Sequence, residues 1–250
     1  MTVEAQQNKT DHPCFTQPED ASVKVWRYMD LAKFIWTLEN QKLYMSRLDM
    51  LSDPHEGSTP KLMAKLRDHQ FHALGADQLV VDMPRINQRV ARSTYVNCWH
   101  MGNAESEAMW RLYCPGENGV AIQTTYSSLV NSISADKYCY IGAVTYIDYE
   151  SQAFPHGNLY YASMHKRLSF EHEREIRLVK IMSEYCGLQS GDGPGGITID
   201  WPLETAAHAI FVNPYAPAYY YEVVQSVVKR IATNLENRVF WSQMKASPVY

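Results

Sequence analysis

Residues 169–182 read SFEHEREIRLVKIM. Glu171, His172, Glu173, Arg174 and Glu175 stand in an unbroken ionisable row. The chain then turns apolar with Ile176, Leu178, Val179, Ile181 and Met182, interrupted by Arg177 and Lys180. The second half has the composition of a buried strand. Side chains alternate across a strand, so a strand beginning near Glu173 puts Glu173, Glu175 and Arg177 on one face, leading into Val179 and Ile181. A carboxylate entering a core is costly unless it is paired. Arg177 is spaced to neutralise Glu175, whereas Arg174 is not on that face. Two readings stay open: a strand edge with Glu–Arg pairing, or two carboxylates at the mouth of a pocket.

Working outward, VKVWRYM (23–29) and KLYMS (42–46) read as strands, with a helix between them from Asp30 to about Glu39. Residues 60–74 and 77–92 read as two moderately amphipathic helices, with Pro84 disturbing the second. Strands are expected at 94–100, 119–126 and 138–149, in GITID and AIFVNP, and near the end in RVFWSQM; helices are expected at 104–114, 157–168 and 217–236. Regular crossover helices between strands are missing. The expected fold is therefore α+β rather than doubly wound, a single domain over 23–250 with a mixed or antiparallel central sheet flanked by helices. Residues 1–22, polar and with two prolines, read as a disordered tail, and about 58–93 as a helical insert.

The chain has 250 residues, 46% hydrophobic and 20% charged, with a formal charge of -4. Such a balance disfavours a long phosphate-backbone footprint. Five cysteines without a C-x-x-C pair argue against a disulfide framework or a zinc ribbon, and no metal is expected. No apolar run is long enough to span a membrane and the first residues lack a signal pattern, so a cytoplasmic protein without membrane partners is expected. The glycine-rich SGDGPGG (190–196) lacks the phosphate-loop pattern and reads as a surface loop.

SRLDMLSDPHEG (46–57) is the second charged stretch. Asp53-Pro54 is turn chemistry. Asp53 and Glu56 are also candidates for a site, paired with an arginine, Arg47 or Arg177 being best placed in type. His55 is a candidate acid–base group.

The blocks LYMSRLDMLSDPHEG, NCWH followed by EAMWRLYCPGENGVAIQ, HKRLSFEHEREIRLVK and AIFVNP, in this order and after an early W-R-Y, resemble a bacterial family known as domain of unknown function 2971. The resemblance runs over about 23–242. NCWH departs from it, a Phe-Ser pair being commoner there. The family name implies no activity. A weaker resemblance is to the arginine–serine–glutamate class of ADP-ribosyltransferases, in which a first-strand Arg, a second-strand Ser and an E-x-E at a later strand serve NAD. It implies an ADP-ribosyltransferase-like fold and an ADP-ribosyltransferase or NAD glycohydrolase of the kind found among bacterial toxins and defence effectors. Here Arg27 would hold NAD phosphate, Ser46 would order the pocket, and Tyr44 or Tyr28 would stack on nicotinamide. Glu175 would stabilise the cationic transition state and Glu173 orient the acceptor, with Asp53, Glu56 and Arg177 in support. The acceptor is not legible. The alternatives are a binding protein whose charges form a structural network, and a metal-dependent nuclease or phosphoesterase around Asp53, Glu56, Glu173 and Glu175.

Overall fold

The computed structural model describes residues 11–133, 135–187 and 190–248. The fold is α+β, with a mixed sheet flanked by helices. In chain order the elements are β1 (Lys24–Asp30), α1 (Leu31–Asn40), β2 (Lys42–Arg47), α2 (Lys61–Ala73), α3 (Asp77–Ser93), β3 (Thr94–Met101), α4 (Glu107–Tyr113), β4 (Gly119–Thr125) and α5 (Tyr126–Ser132). There follow β5 (Cys139–Ala143), β6 (Thr145–Ile147), α6 (Tyr161–Met164), β7 (His165–Arg167), β8 (Glu175–Ile181), β9 (Gly196–Asp200), α7 (Leu203–Ala206), β10 (Ala209–Val212), α8 (Ala218–Ile231) and β11 (Val239–Trp241).

The single domain expected from the sequence divides into two units. The first takes residues up to Gln17, Tyr44–Asn97 and Lys137–Ile197; the second takes Pro18–Leu43, Cys98–Asp136 and the residues from Thr198 on.

In the second unit β1 runs antiparallel to β4 along its whole length, Lys24 opposite Thr125 through to Asp30 opposite Gly119. Strand β10 pairs antiparallel with β4 and parallel with β11. Trp26, Tyr28, Trp110, Ala121 and Phe211 form one buried cluster, the aromatic burial that dominates such cores. Helix α1 starts where Asp30 accepts from the Lys33 amide at 2.8 Å and buries Phe34 and Leu38 four residues apart.

In the first unit β5 and β8 are antiparallel, Cys139 opposite Lys180 through to Ala143 opposite Ile176. Strand β2 pairs with β3, Ser46 opposite Val96, and β6 pairs in parallel with β7. Met63, Ile147, Tyr149 and Phe154 form a smaller apolar cluster.

Three expectations are corrected here. Residues 11–17 are not a loose tail. Phe15 and Cys14 are buried, Thr16 bridges to Ala143, and a Cβ on Gly142 would come within 2.9 Å of the Phe15 backbone. Close backbone approach is what makes glycine necessary there. The long strand of 138–149 breaks at Val144, whose amide donates to the Glu175 carbonyl at 2.9 Å, and the chain continues as β6. The helix of 157–168 shrinks to Tyr161–Met164 because Gly157 turns with φ +90 and Asn158 accepts from the Tyr160 amide. Its last residues become β7 instead.

Candidate functional site

Strand β8 begins at Glu175, two residues later than alternation predicts. Residues Leu168–Glu173 form a 3-10 turn, and Arg174 follows in the left-handed region with φ 41. That turn separates Glu173 from the strand. Glu175 and Arg177 keep their common face.

Arg177 is fully buried. Its Nε donates to Glu175 Oε1 at 2.6 Å and one Nη donates to Glu175 Oε2 at 2.9 Å. The outer edge of the guanidinium grips Glu56 with bonds of 2.9 and 3.2 Å. The fifth N–H donates to the Ser163 carbonyl at 2.7 Å. Five donors in a rigid fork thus meet five acceptors, the arrangement arginine supplies and lysine cannot.

Lys166 is the second cation of the cluster. Its ammonium lies 2.6 Å from Glu173, 3.2 Å from Glu56 and 3.6 Å from Glu175, and 4.7 Å from the centre of the Phe170 ring. Three glutamates and two cations therefore alternate in a buried set. Burial on its own would lower the Lys166 pKa, but Glu175 and Glu56 beside it raise it above the ordinary lysine value. The β6–β7 register sets Tyr146 beside Lys166. The Tyr146 hydroxyl accepts from the Glu175 amide at 2.8 Å; burial, with Glu175 close by, pushes its pKa up.

Glu56 reaches the cluster from the loop after β2. Asp53 caps that loop, accepting from the His55 amide at 3.0 Å. Gly57 turns it with φ +73, at a place where a Cβ would come within 2.7 Å of Leu48. The buried Asp53 side chain is clasped by Arg167 through bonds of 2.7 and 3.2 Å. Neighbours on a strand face opposite ways, so Lys166 and Arg167 serve the glutamates and Asp53 respectively.

Of the residues singled out from sequence, Asp53, Glu56, Glu173, Glu175 and Arg177 are thus brought together. Asp53 pairs with Arg167, not with Arg47 or Arg177; Arg47 is taken by Asp49 at 2.7 Å. Ser46 is half-buried on β2, and Tyr44 is exposed, over Gly196. Arg27 belongs to the second unit, where it donates to the Cys98 carbonyl at 2.6 Å. Tyr28 lies in that unit's core, its ring 4.9 Å from Trp110 and its hydroxyl accepting from the Ser106 amide; this is a packing position, not one open for stacking on a ligand. Lys166 and Arg167 were missed. The adjacent basic pair ahead of the acidic row is their signal, masked by the helical pattern of 157–168. Among the described residues no three His, Cys, Asp or Glu side chains are gathered as metal ligands.

Residues 109–178 match the model of the family described as protein of unknown function DUF2971. Over this segment, less than a third of its length, the chain is similar to the DUF2971 family. The match contains Lys166, Arg167, Glu173, Glu175 and Arg177, while Asp53 and Glu56 come from outside it. The DUF2971 description carries no activity, and no curated protein and no solved structure matches the chain. Among the described residues no helix is long and apolar enough to cross a membrane.

Proposed function

We propose that this protein is a non-catalytic binding protein, in which Glu56, Glu173 and Glu175 with Lys166 and Arg177 form the charge network that holds its frame. One observation carries the reading. Arg177 is wholly buried and spends all five of its donors on Glu175, Glu56 and the Ser163 carbonyl. A carboxylate that stabilises a developing cation must face the reacting atoms. Glu175 faces a guanidinium with both oxygens. A metal site around the same glutamates is disfavoured for a like reason, because Lys166 and Arg177 stand between them.

A second reading, glycosyl transfer from NAD on an ADP-ribosyltransferase-like fold, keeps one observation in its favour: Glu173 and Glu175 do stand together at the start of β8. Nicotinamide release from NAD separates the two. Wild-type protein, alone and with cell extract as acceptor, is expected to release none above background. Release that Glu175→Gln abolishes while the melting temperature is unchanged would overturn the network reading in favour of the enzyme.

A further inference from the structure

Helix α3 carries Arg85, Arg89 and Arg92 at spacings of four and three residues, which place them on one face with Gln88. With Asp82 they line a recess of about 250 Å³, several times the roughly 30 Å³ share of one liquid water. Arg85 and Gln88 are exposed and make no hydrogen bond or ion pair with any described residue. The other two arginines already hold an anion. Asp192 sits 2.9 Å from Arg89 and 3.4 Å from Arg92. It comes from the glycine-rich loop.

That loop is tied down on the C-terminal side of Asp192. Arg47 donates to the Gly193 carbonyl, the Tyr95 hydroxyl donates to the Pro194 carbonyl at 3.1 Å, and the Arg47 amide donates to the Gly195 carbonyl at 3.0 Å. On the other side a Cβ on Gly191 would meet nothing within 4 Å. Asp192 can therefore leave the arginines by rotation at Gly191 and about its own side-chain bonds, with the anchors at Gly193, Pro194 and Gly195 in place.

We infer that this recess binds the phosphate of a small phosphomonoester, and that Asp192 is a latch the phosphate displaces. Arg92 also meets Asp49 at 3.6 Å, itself held by Arg47 at 2.7 Å, so four guanidinium groups face three carboxylates while Asp192 is in place. With Asp192 withdrawn the excess is two positive charges, close to the charge of about −1.5 to −2 on a phosphomonoester near neutral pH. Guanidinium forks match phosphate oxygens bidentately, and a dianion gains more from them than the carboxylate it replaces. The proposal names a ligand class for the binding reading and rests on it. Phosphate binding and nicotinamide release are separate readouts, so either can fail alone. An extended nucleic-acid chain fits less well, because the chain is acidic overall, with a formal charge of -4.

The test is calorimetric titration of the full chain at low salt with inorganic phosphate, ribose 5-phosphate and AMP, with sodium chloride at matched ionic strength as the control. Arg85→Ala and Arg89→Ala are expected to weaken phosphate binding about tenfold, the scale of one lost charge-assisted contact. Asp192→Asn is expected to strengthen it several-fold. Tighter binding of ribose 5-phosphate or AMP than of inorganic phosphate identifies an esterified ligand; preference for the free ion would overturn the ester. Binding unaffected by Arg85→Ala and Arg89→Ala would overturn the site, and binding unaffected by Asp192→Asn the latch. Tight, steeply salt-dependent binding of a single-stranded oligonucleotide, with none of the small phosphates, would replace the proposal by a nucleic-acid surface.

Discussion

The first unit holds two arginine–carboxylate clusters of opposite character. Around Arg177 every donor is used and nothing is exposed. Along α3, Arg85 is exposed and has no partner among the described residues, and Arg92 and Asp192 are each close to half exposed in their side chains. The same chemical groups do different work because one cluster is buried and the other is open to solvent. A buried pair has given up its hydration and cannot be broken cheaply. An exposed pair is worth little, so it can exchange partners. The first cluster is suited to hold a frame and the second to meet a ligand.

The contrast breaks most easily at Arg177. Arg177→Met leaves Glu56 and Glu175 buried with Lys166 as the one cation beside both among the described residues. It is expected to cost about 3–5 kcal/mol in urea unfolding, the scale for removing one partner of a buried pair. A loss below about 1 kcal/mol, as at exposed pairs, would erase the distinction between the clusters.

Next in size is Asp53→Ala. Asp53 is buried but Arg167 is partly exposed, so the stranded arginine recovers some hydration. The expected loss is about 1–3 kcal/mol, within the range for a lost hydrogen-bonded charge. A melting temperature equal to wild type would show the loop to be held by its backbone turn alone.

Alkaline titration sharpens the contrast further. The Lys166 pKa is raised on folding above its ordinary 10.5. The folded state therefore binds the proton more tightly, so the contribution is complete below 10.5 and is lost as pH rises through the raised folded value. Tyr146, raised above 10.0 by burial, acts with the same sign. Wild type is expected to lose stability as pH climbs above about 10 to 10.5, and Lys166→Met to lose it less steeply. Equal slopes in the two proteins would take Lys166 out of the network. The smallest effect is expected on α3, where Arg85→Ala changes unfolding free energy by no more than about 0.5 kcal/mol, because the side chain is exposed and pairs with no described residue.

Part of this was legible in the sequence. Two-residue alternation placed Glu175 and Arg177 on one face, and the cost of a lone buried carboxylate demanded that they pair. The same reasoning gave Glu56 an arginine, and Arg177 is that partner although 121 residues separate them in sequence. Strands β1, β2 and β3, helices α1 to α3 and the α+β class followed from periodicity and caps. What failed was local. Charge spacing expects an arginine, Arg47 or Arg177, beside Asp53 or Glu56; Arg177 meets Glu56, but spacing cannot show that Arg167 holds Asp53. Hydrophobic period could not show that 157–168 changes from helix to strand within four residues, which hid Lys166 and Arg167. Nor could it show a chain turning at Arg174, so Glu173 was put on the strand. The arginine face of α3 was visible as a polar helix, but its recess depends on the loop that carries Asp192, which lies about a hundred residues away in sequence.

The central claim, that the glutamates are a frame and not a catalytic set, is tested most directly by a double-mutant cycle between Glu56→Gln and Arg177→Met in urea unfolding. The two side chains come from distant parts of the sequence and meet in two hydrogen bonds. A coupling energy above about 1.5 kcal/mol is expected, as for close buried charge pairs. Additive losses, with coupling within about 0.5 kcal/mol of zero, would contradict the account.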